Sequence, residues 1–146
     1  MGSLILPPSG SVYLDANSVI YAVEKVEPYH SFLALLWPAA QSGQLSIVTS
    51  ELTWLETLVK PLRDGNRALE LLFRAFLTAR EVELIPATLA LWEQAAQLRA
   101  LGLKTPDAIH AATGLSAGCA LFLTNDPAFL RVPGLPVTVL SAAVQG

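Results

Sequence analysis

Three aspartates of the 146-residue chain stand at the ends of apolar segments, where their carboxylates could act together. Asp15 ends the segment VYLD, Asp126 follows LFLTN, and Asp107 comes directly after a proline in KTPDAIHAAT. If VYLD and LFLT are strands of one parallel sheet, their carboxyl ends lie at the same edge, where open α/β sheets bind their ligands. Asp15 and Asp126 are therefore expected to lie close together.

Each aspartate also has a purely structural explanation. Asp15 could cap the helix that follows it, and Asp126 could stabilise a turn. In KTPDAIHAAT, Thr105 is the expected N-cap and Pro106 the first helical residue. Asp107 would then lie in the first turn, where its charge interacts favourably with the helix dipole. Taken one at a time, the three acids leave both explanations open.

A fourth acid, Glu56, lies on the helix predicted for SELTWLETLVK. It shares a helical face with Leu52, Leu55 and Val59 by the i, i+3, i+4, i+7 rule. A charged glutamate on a buried apolar face is costly unless it has a partner or faces a cavity. Glu51 is the alternative, but it belongs to the first turn of that helix, where the dipole accounts for it. Glu56 is therefore the preferred candidate.

Four carboxylates at one edge would repel one another and raise one another's pKa. A divalent cation removes that conflict, and hard oxygen ligands suit Mg²⁺ or Mn²⁺. A metal held by a few carboxylates with open water positions is suited to phosphodiester hydrolysis. The pattern predicts a catalytic, metal-binding set formed by Asp15, Glu56, Asp107 and Asp126.

Short apolar segments alternate with longer helical segments, which predicts an α/β fold with a parallel sheet. The segments are almost continuously apolar, as expected of strands covered on both faces. We predict one domain, residues 1–146, with a three-layer α/β/α arrangement and a central parallel sheet of about five strands. The predicted strands are 11–15, 45–50, 82–86, 120–124 and 137–140; the predicted helices are 17–24, 29–42, 51–60, 66–79, 87–101 and 106–117.

The composition restricts the function classes. Apolar residues make up 53% of the chain and charged residues 14%, yet no segment approaches the roughly 20 apolar residues of a membrane helix. The start MGSLILPPSG has no basic region typical of a signal peptide, so we expect a cytoplasmic protein with no membrane association. The single cysteine, Cys119, excludes an internal disulfide. A net charge of −3 gives no overall basic field for nucleic acid.

Four motifs together resemble one known family. VYLDAN, SELTWLET, KTPDAIHAAT and FLTNDPAF occur in the order and at the spacings of PIN-domain ribonucleases, in particular the VapC-type toxins of prokaryotic toxin–antitoxin pairs. The resemblance implies an α/β/α sandwich and Mg²⁺-dependent RNA cleavage, with Mn²⁺ able to substitute. The family's acidic positions correspond to Asp15, Glu56, Asp107 and Asp126, and Thr124 matches a polar position near them. It also implies a small antitoxin protein as partner.

Two further features are less specific. His110 follows Asp107 by three residues, so the two can face the same way; a packing role is the favoured interpretation, although His110 could orient a carboxylate. Basic residues after Glu56 could be ordinary surface charge or could contact RNA phosphate. They are Lys60, Arg63, Arg67 and Arg74.

The apolar excess indicates partner surfaces. Helices 17–24 and 29–42 carry more apolar residues than one side of a small sheet covers, namely Val19, Ile20, Val23, Phe32, Leu33, Leu36 and Trp37. We expect an amphipathic antitoxin segment to bind there in a groove and another apolar surface to form a homodimer. An antitoxin arginine is expected to pair with the acidic cleft.

Two other functions compete with the nuclease hypothesis. A PIN fold could serve as a binding or assembly module without cutting, but the presence of all four acids argues against it. An acyl-phosphate enzyme also groups aspartates at strand ends. Haloacid-dehalogenase phosphatases carry a second aspartate two residues after the first, and here that position is Asn17.

Overall fold

Five parallel strands form the centre of the molecule. The computed structural model describes residues 4–145, and its strands are β1 (Ser11–Leu14), β2 (Ser46–Ser50), β3 (Val82–Ile85), β4 (Leu121–Thr124) and β5 (Val137–Val139). Their order in the sheet is β3-β2-β1-β4-β5. In the register of β1 and β4, Leu14 lies opposite Leu123. The carboxyl ends of β1 and β4 are therefore neighbours, as the sequence predicts.

Helices cover both faces of this sheet. They are α1 (Ala16–Val23), α2 (Tyr29–Leu33), α3 (Leu36–Gln41), α4 (Glu51–Asp64), α5 (Arg67–Leu77), α6 (Leu89–Ala100), α7 (Thr105–Ala117) and α8 (Leu140–Ala143), with a 3₁₀ helix at Pro127–Arg131. Val12 and Leu14 point into a core shared with α1 to α5, whereas Tyr13 points into a second core shared with α6 and α7. The predicted three-layer α/β/α sandwich is confirmed.

Gly114 allows α7 to lie close against the sheet. A Cβ atom at this position would come within 2.8 Å of the Phe122 ring on β4. Real Cβ atoms do not approach other heavy atoms that closely, so a larger residue would push α7 away from β4. This contact therefore determines how closely α7, which carries Asp107 in its first turn, packs against the sheet.

The predicted helix at 29–42 is wrong: the structure has two short helices, α2 and α3, with Ala34 and Leu35 between them. Proline explains the break. Inside a continuous helix, Pro38 would remove the hydrogen bond to the Ala34 carbonyl and its ring would clash with that group. As the third residue of α3, Pro38 needs no partner, because the first amides of a helix are free.

The apolar residues expected to remain exposed on these helices are mostly part of the core. Val19, Phe32, Leu33 and Leu36 are buried, and Ile20, Val23 and Trp37 pack partly against them. The large apolar side chains that do face solvent lie mainly on α4, α5 and α6: Leu55, Val59, Leu62, Leu71, Leu72, Leu89 and Trp92. Within residues 4–145, no helix is both long and apolar enough to cross a membrane.

Candidate active site

Asp15 is held at the carboxyl end of β1 by two hydrogen bonds. The backbone N–H of Ser18 donates to Oδ1 (2.9 Å), which makes Asp15 the N-cap of α1. The Thr124 hydroxyl donates to Oδ2 (2.6 Å) from the end of β4. Only 5% of Asp15 is exposed. Asp15 can therefore cap α1 and also belong to a functional site, because Oδ1 caps the helix and Oδ2 is bound at the strand ends.

Thr124 joins the ends of the two strands. Its Oγ1 donates to Asp15 and accepts the backbone N–H of Asp126 (3.0 Å). Asp126 in turn caps the 3₁₀ helix, since its Oδ1 accepts the backbone N–H of Ala128 (2.9 Å). Thr124 is fully buried, so it has little freedom to change partners. One hydroxyl thus fixes the position of Asp126 relative to Asp15.

Asp107 reaches the same region from α7, in a helix start that differs from the predicted one. The N-cap is Lys104, which makes no side-chain capping bond, and Thr105 and Pro106 are the first two helical residues. Proline is tolerated at the second position as well as the first, because no amide of the first turn has a helical partner. The expectation that Thr105 caps the helix is therefore wrong, whereas Asp107 does lie in the first turn.

The pKa of Asp107 shows that the three aspartates share one electrostatic environment. Burial is the largest cause that raises this pKa above its ordinary value of 3.8, followed by the charge of Asp126. Asp15 raises it further, while His110 and Lys104 oppose the shift. Like charges on nearby carboxylates disfavour ionisation. Asp15, Asp107 and Asp126 therefore form an acidic cluster at the edge of the sheet.

Glu56 is placed differently from the expectation. The buried face of α4 consists of Thr53, Thr57, Leu58 and Pro61, whereas Leu55 and Val59 are 59% and 48% exposed. Threonines can form a buried helix face although the sequence shows no apolar residues there, because their hydroxyls bond to the backbone. Thr57, for example, donates to the Thr53 carbonyl (2.8 Å). The supposed apolar stripe is thus a solvent-facing one, and Glu56 lies half-buried beside it.

Glu56 nevertheless has a specific partner. Its Oε1 lies 2.7 Å from Nε2 of His110, one turn beyond Asp107 on α7. On the other side of the ring, Nδ1 of His110 lies 2.6 Å from the hydroxyl of Tyr13. Burial, and then the charge of Asp15, raise the pKa of Tyr13 well above its ordinary value of 10.0, so the phenol keeps its proton. Sequence analysis missed Tyr13, whose position within an apolar strand gives no signal of function.

The alternative glutamate, Glu51, is engaged elsewhere. Its Oε1 accepts the backbone N–H of Ala87 (3.2 Å) in the segment after β3. It also lies in the first turn of α4, where the helix dipole favours a negative charge. Glu51 therefore ties α4 to the β3–α6 connection.

The family model for the PIN domain matches residues 12–135. The chain belongs to the PIN domain family. The matched segment contains all four predicted acids together with Tyr13, His110 and Thr124. Proteins of this family are generally nucleases. No curated protein matches the chain at the level of sequence.

Several solved structures share this PIN fold. VapBC2 from Rickettsia felis, bound to a promoter DNA fragment, superposes with a TM-score of 0.71 at 18% identity over 88% of this chain and 97% of that one. VapC20 of Mycobacterium tuberculosis, a Sarcin–Ricin loop cleaving toxin, gives 0.66 at 19% identity over 82% and 92%. FitAcB from Neisseria gonorrhoeae gives 0.64 at 17% over 86% and 95%. The resemblance to VapC-type toxins is confirmed at the level of fold.

The donor set of this PIN domain fits a hydrated cation better than a protein cage. Among residues 4–145, no three or more histidine, cysteine, aspartate or glutamate side chains are arranged to enclose a metal ion. The aspartate cluster is nevertheless negative, and it is made of hard oxygen donors whose mutual repulsion is visible at Asp107. Mg²⁺ keeps several waters and binds through one or two carboxylates, which is compatible with this arrangement.

The basic residues after Glu56 do not form a free cluster. Arg67 and Arg74 donate to the same oxygen of Glu70, at 2.7 and 2.8 Å, and Arg74 also lies over the Trp54 ring. Glu70 is only 7% exposed, and both arginines lie on the same helix, three residues before it and four after it. Lys60 and Arg63 are exposed and remain the candidates for phosphate contact.

Proposed function

We propose that this PIN domain is a metal-dependent endoribonuclease, and that it is the toxin of a type II toxin–antitoxin pair. The observation that supports the activity best is the aspartate cluster, in which burial and then the charges of Asp126 and Asp15 raise the pKa of Asp107. A structural acid is normally given a cation or several donors, which lower its pKa. A cluster of carboxylates that repel one another is better explained by a positively charged group that the cluster binds during function.

The toxin assignment draws on the related folds. VapC20 is a toxin that cleaves the Sarcin–Ricin loop, and a toxin–antitoxin complex from Klebsiella pneumoniae has a similar fold. All four acids of the resemblance are present here, which supports RNA as the substrate and residues 1–146 as one nuclease domain. The absence of a membrane-spanning helix within the described chain is compatible with a cytoplasmic location.

Asp15, Glu56, Asp107 and Asp126 would form the catalytic set and hold the metal, Mg²⁺ or in its place Mn²⁺, in part through the metal's bound waters. When bound, the metal would polarise a phosphoryl oxygen and lower the pKa of a bound water. The protein's own part is to orient the carboxylates. Thr124 and the Ser18 amide hold both oxygens of Asp15, and the Ala128 amide holds Asp126.

The negative charge of the cluster also explains why a cation would be required for substrate binding. An RNA phosphate brought to the strand ends would face three carboxylates, and this repulsion is strong at short range in a partly buried site. Lys60 and Arg63, exposed on α4, could attract the backbone from the side. Their contribution would weaken with salt, as phosphate contacts do.

Metal dependence is the direct test of this proposal. The purified protein is incubated with total RNA in EDTA, in Mg²⁺ and in Mn²⁺, and the new 5′ ends are mapped by sequencing. We expect cleavage at defined sites with either metal and none in EDTA, with activity restored when excess metal is added. Full cleavage in EDTA would contradict the proposal, because no cysteine or histidine cluster could replace the metal.

One observation favours a second function, a PIN-fold assembly module without nuclease activity. The acids do not form a preassembled cage within residues 4–145, and a non-catalytic relative would have no need of one. Calorimetric titration with Mn²⁺ and a cleavage assay together separate the two functions. A nuclease is expected to bind Mn²⁺ and cut RNA, whereas an assembly module cuts no RNA whether or not it binds Mn²⁺.

An antitoxin partner has a groove to occupy. A cavity of about 350 Å³ opens between α1, α2, α3 and α5, lined by apolar side chains that include Ala22, Leu33, Trp37 and Phe76. This is the region that the sequence predicts for an amphipathic antitoxin segment. An antitoxin arginine would pair with the aspartate cluster, which offers uncompensated negative charge. Coexpression with neighbouring genes and copurification of a small protein would test the pairing.

A homodimer would use a different surface. Leu55, Val59 and Leu62 project from α4 at i, i+4 and i+7, which makes a continuous exposed apolar stripe. We expect Val59→Asp to convert a dimer into a monomer, as measured by light scattering, while the Lys60→Ala control leaves the dimer intact. A strictly monomeric wild-type protein would contradict this part of the proposal.

A further inference from the structure

Three side chains from three different elements form a continuous hydrogen-bonded chain beside the aspartate cluster. The Tyr13 hydroxyl on β1 meets Nδ1 of His110 on α7 at 2.6 Å. On the opposite side of the ring, Nε2 meets Oε1 of Glu56 on α4 at 2.7 Å. His110 and Tyr13 are buried, whereas about a quarter (27%) of the Glu56 side chain is exposed. The chain therefore runs from the core outward to a carboxylate.

The chemistry of the partners determines which ring nitrogen carries the hydrogen. An ionised carboxylate only accepts hydrogen bonds, so Nε2 of His110 must donate to Glu56. A neutral imidazole then has an acceptor at Nδ1, and the Tyr13 hydroxyl can donate to it. The two contacts are thus mutually consistent with one tautomer. With Nδ1–H instead, Nε2 and the carboxylate of Glu56 would face each other as two acceptors.

Packing alone does not explain the hydroxyl of Tyr13. The ring stacks on Phe122 with a centroid distance of 4.6 Å and an angle of 3° between planes, and a phenylalanine would make the same contact. Tyr13 is completely buried at the centre of β1, where a polar group is costly unless it is hydrogen-bonded. The hydroxyl is therefore accounted for by its hydrogen bond with Nδ1 of His110.

We propose that His110 is a positioning residue, oriented by Tyr13, that holds the Glu56 carboxylate toward the aspartate cluster. The importance of Glu56 for activity rests on the function proposed above, whereas the orientation of His110 does not. His110 itself need not touch RNA or metal. Without its ring, Glu56 would be free to turn toward solvent along with the exposed side of α4.

Two substitutions of His110 separate its two contacts. In His110→Gln the side-chain amide extends to the position of Nε2, so it can still donate to Glu56. In His110→Asn the shorter amide reaches only the position of Nδ1, beside Tyr13. Both variants remove the ring and leave a polar amide in the same buried place, but Asn is one methylene shorter than Gln. Thermal melts of each variant therefore report how much packing it loses, separately from its metal affinity.

The affinity for Mn²⁺, measured by calorimetry without RNA, is the main readout. We expect His110→Asn to lose about 10- to 100-fold in affinity, the effect typical of removing a group that orients a ligand, and His110→Gln to retain most of it. Cleavage with saturating Mn²⁺ should follow the same order. Equal affinities for the two variants, whether both lowered or both unchanged, would overturn the inference.

Tyr13→Phe and the tautomer provide an independent check. Long-range ¹H–¹⁵N correlation spectra should show a hydrogen on Nε2 of His110 in the wild type and a ring signal altered by Tyr13→Phe. An Nδ1–H tautomer in the wild type would overturn the inference whatever the protein binds. If the wild type binds Mn²⁺ but cuts no RNA, the proposed nuclease function fails, while the variant affinities still decide the role of His110.

Discussion

Two carboxylates that are partly or fully removed from solvent, Glu70 and Asp107, differ in the charge of their neighbours. Glu70 lies 7% exposed on α5 and receives two guanidinium groups on one oxygen. Those hydrogen bonds, from Arg74 first and then Arg67, lower its pKa. Asp107 is half-buried on α7, and its neighbours Asp126 and Asp15 add to burial in raising its pKa. Within residues 4–145, Glu70 is paired with arginine and Asp107 has no such ion pair.

The contrast separates a stabilising acid from a binding one. Charge pairing at Glu70 stabilises the folded state and leaves nothing for a ligand to compensate. Repulsion at the aspartate cluster costs folding free energy, and a bound cation would recover it. The direction of a pKa shift therefore distinguishes the two acids better than burial does, because both are removed from solvent to a considerable degree.

Replacing Asp107 by asparagine should have the largest effect of any change in this comparison. Asp107→Asn keeps the shape of the side chain and removes one charge from the cluster. We expect RNA cleavage and Mn²⁺ affinity to fall together, by about 100-fold or more, which exceeds the usual effect of losing a group that only orients a ligand. Cleavage of total RNA in Mn²⁺ and calorimetric titration measure the two losses.

The stability of the same variant distinguishes the metal role from simple capping. In EDTA, relief of repulsion should leave Asp107→Asn as stable as the wild type or more stable. If Asp107 served only the helix dipole, the variant would instead lose about 0.3–1 kcal/mol and keep its activity. Thermal melts in EDTA decide between these outcomes, and a destabilised variant with wild-type cleavage would contradict the metal role.

Glu70→Gln makes the matching carboxylate-to-amide change at the paired acid. It leaves Arg67 and Arg74 without their shared counter-charge, so we expect a lower melting temperature and cleavage near the wild-type level below that temperature. Melts and cleavage assays are run side by side with Asp107→Asn. Loss of cleavage in a folded Glu70→Gln protein would show that the arginine pair contributes to the site after all.

The smallest expected effect is a difference in pH dependence. Because the folded-state pKa of Glu70 is lowered, its stabilisation is present above its ordinary value of 4.5 and is lost as pH falls through the lowered pKa. The raised pKa of Asp107 has the opposite effect on folding stability. Its destabilisation of the folded state develops as pH rises above 3.8 toward the raised value. Urea unfolding of both variants and the wild type in EDTA across this range measures the difference. In Glu70→Gln, the free energy of unfolding should fall less steeply as pH is lowered. In Asp107→Asn, the free energy of unfolding at neutral pH should increase.

Much of the aspartate cluster was predictable because it depends on strand topology. Apolar segments that end in Asp15 and LTND indicate parallel strands, and parallel strands place their carboxyl ends together. The prediction of which face of α4 is buried was wrong for a physical reason. Thr53 and Thr57 satisfy their hydroxyls on Thr49 and on the backbone, so threonines that look solvent-exposed in the sequence form the buried face.

The sequence by itself determined the number and direction of the strands, the presence of four acids in family order, and the placement of three of them near one edge. These features follow from hydropathy and chain order. Only the tertiary structure decided the contacts that set the chemistry of individual groups. Thr124 and Asp15 are 109 residues apart, and Tyr13 and His110 are 97 apart. The two arginines that pair with Glu70 are local by comparison, because they lie three residues before it and four after it on the same helix. The long-range pairings depend on the packing of helices against the sheet, because hydrogen bonds form only over a few ångströms.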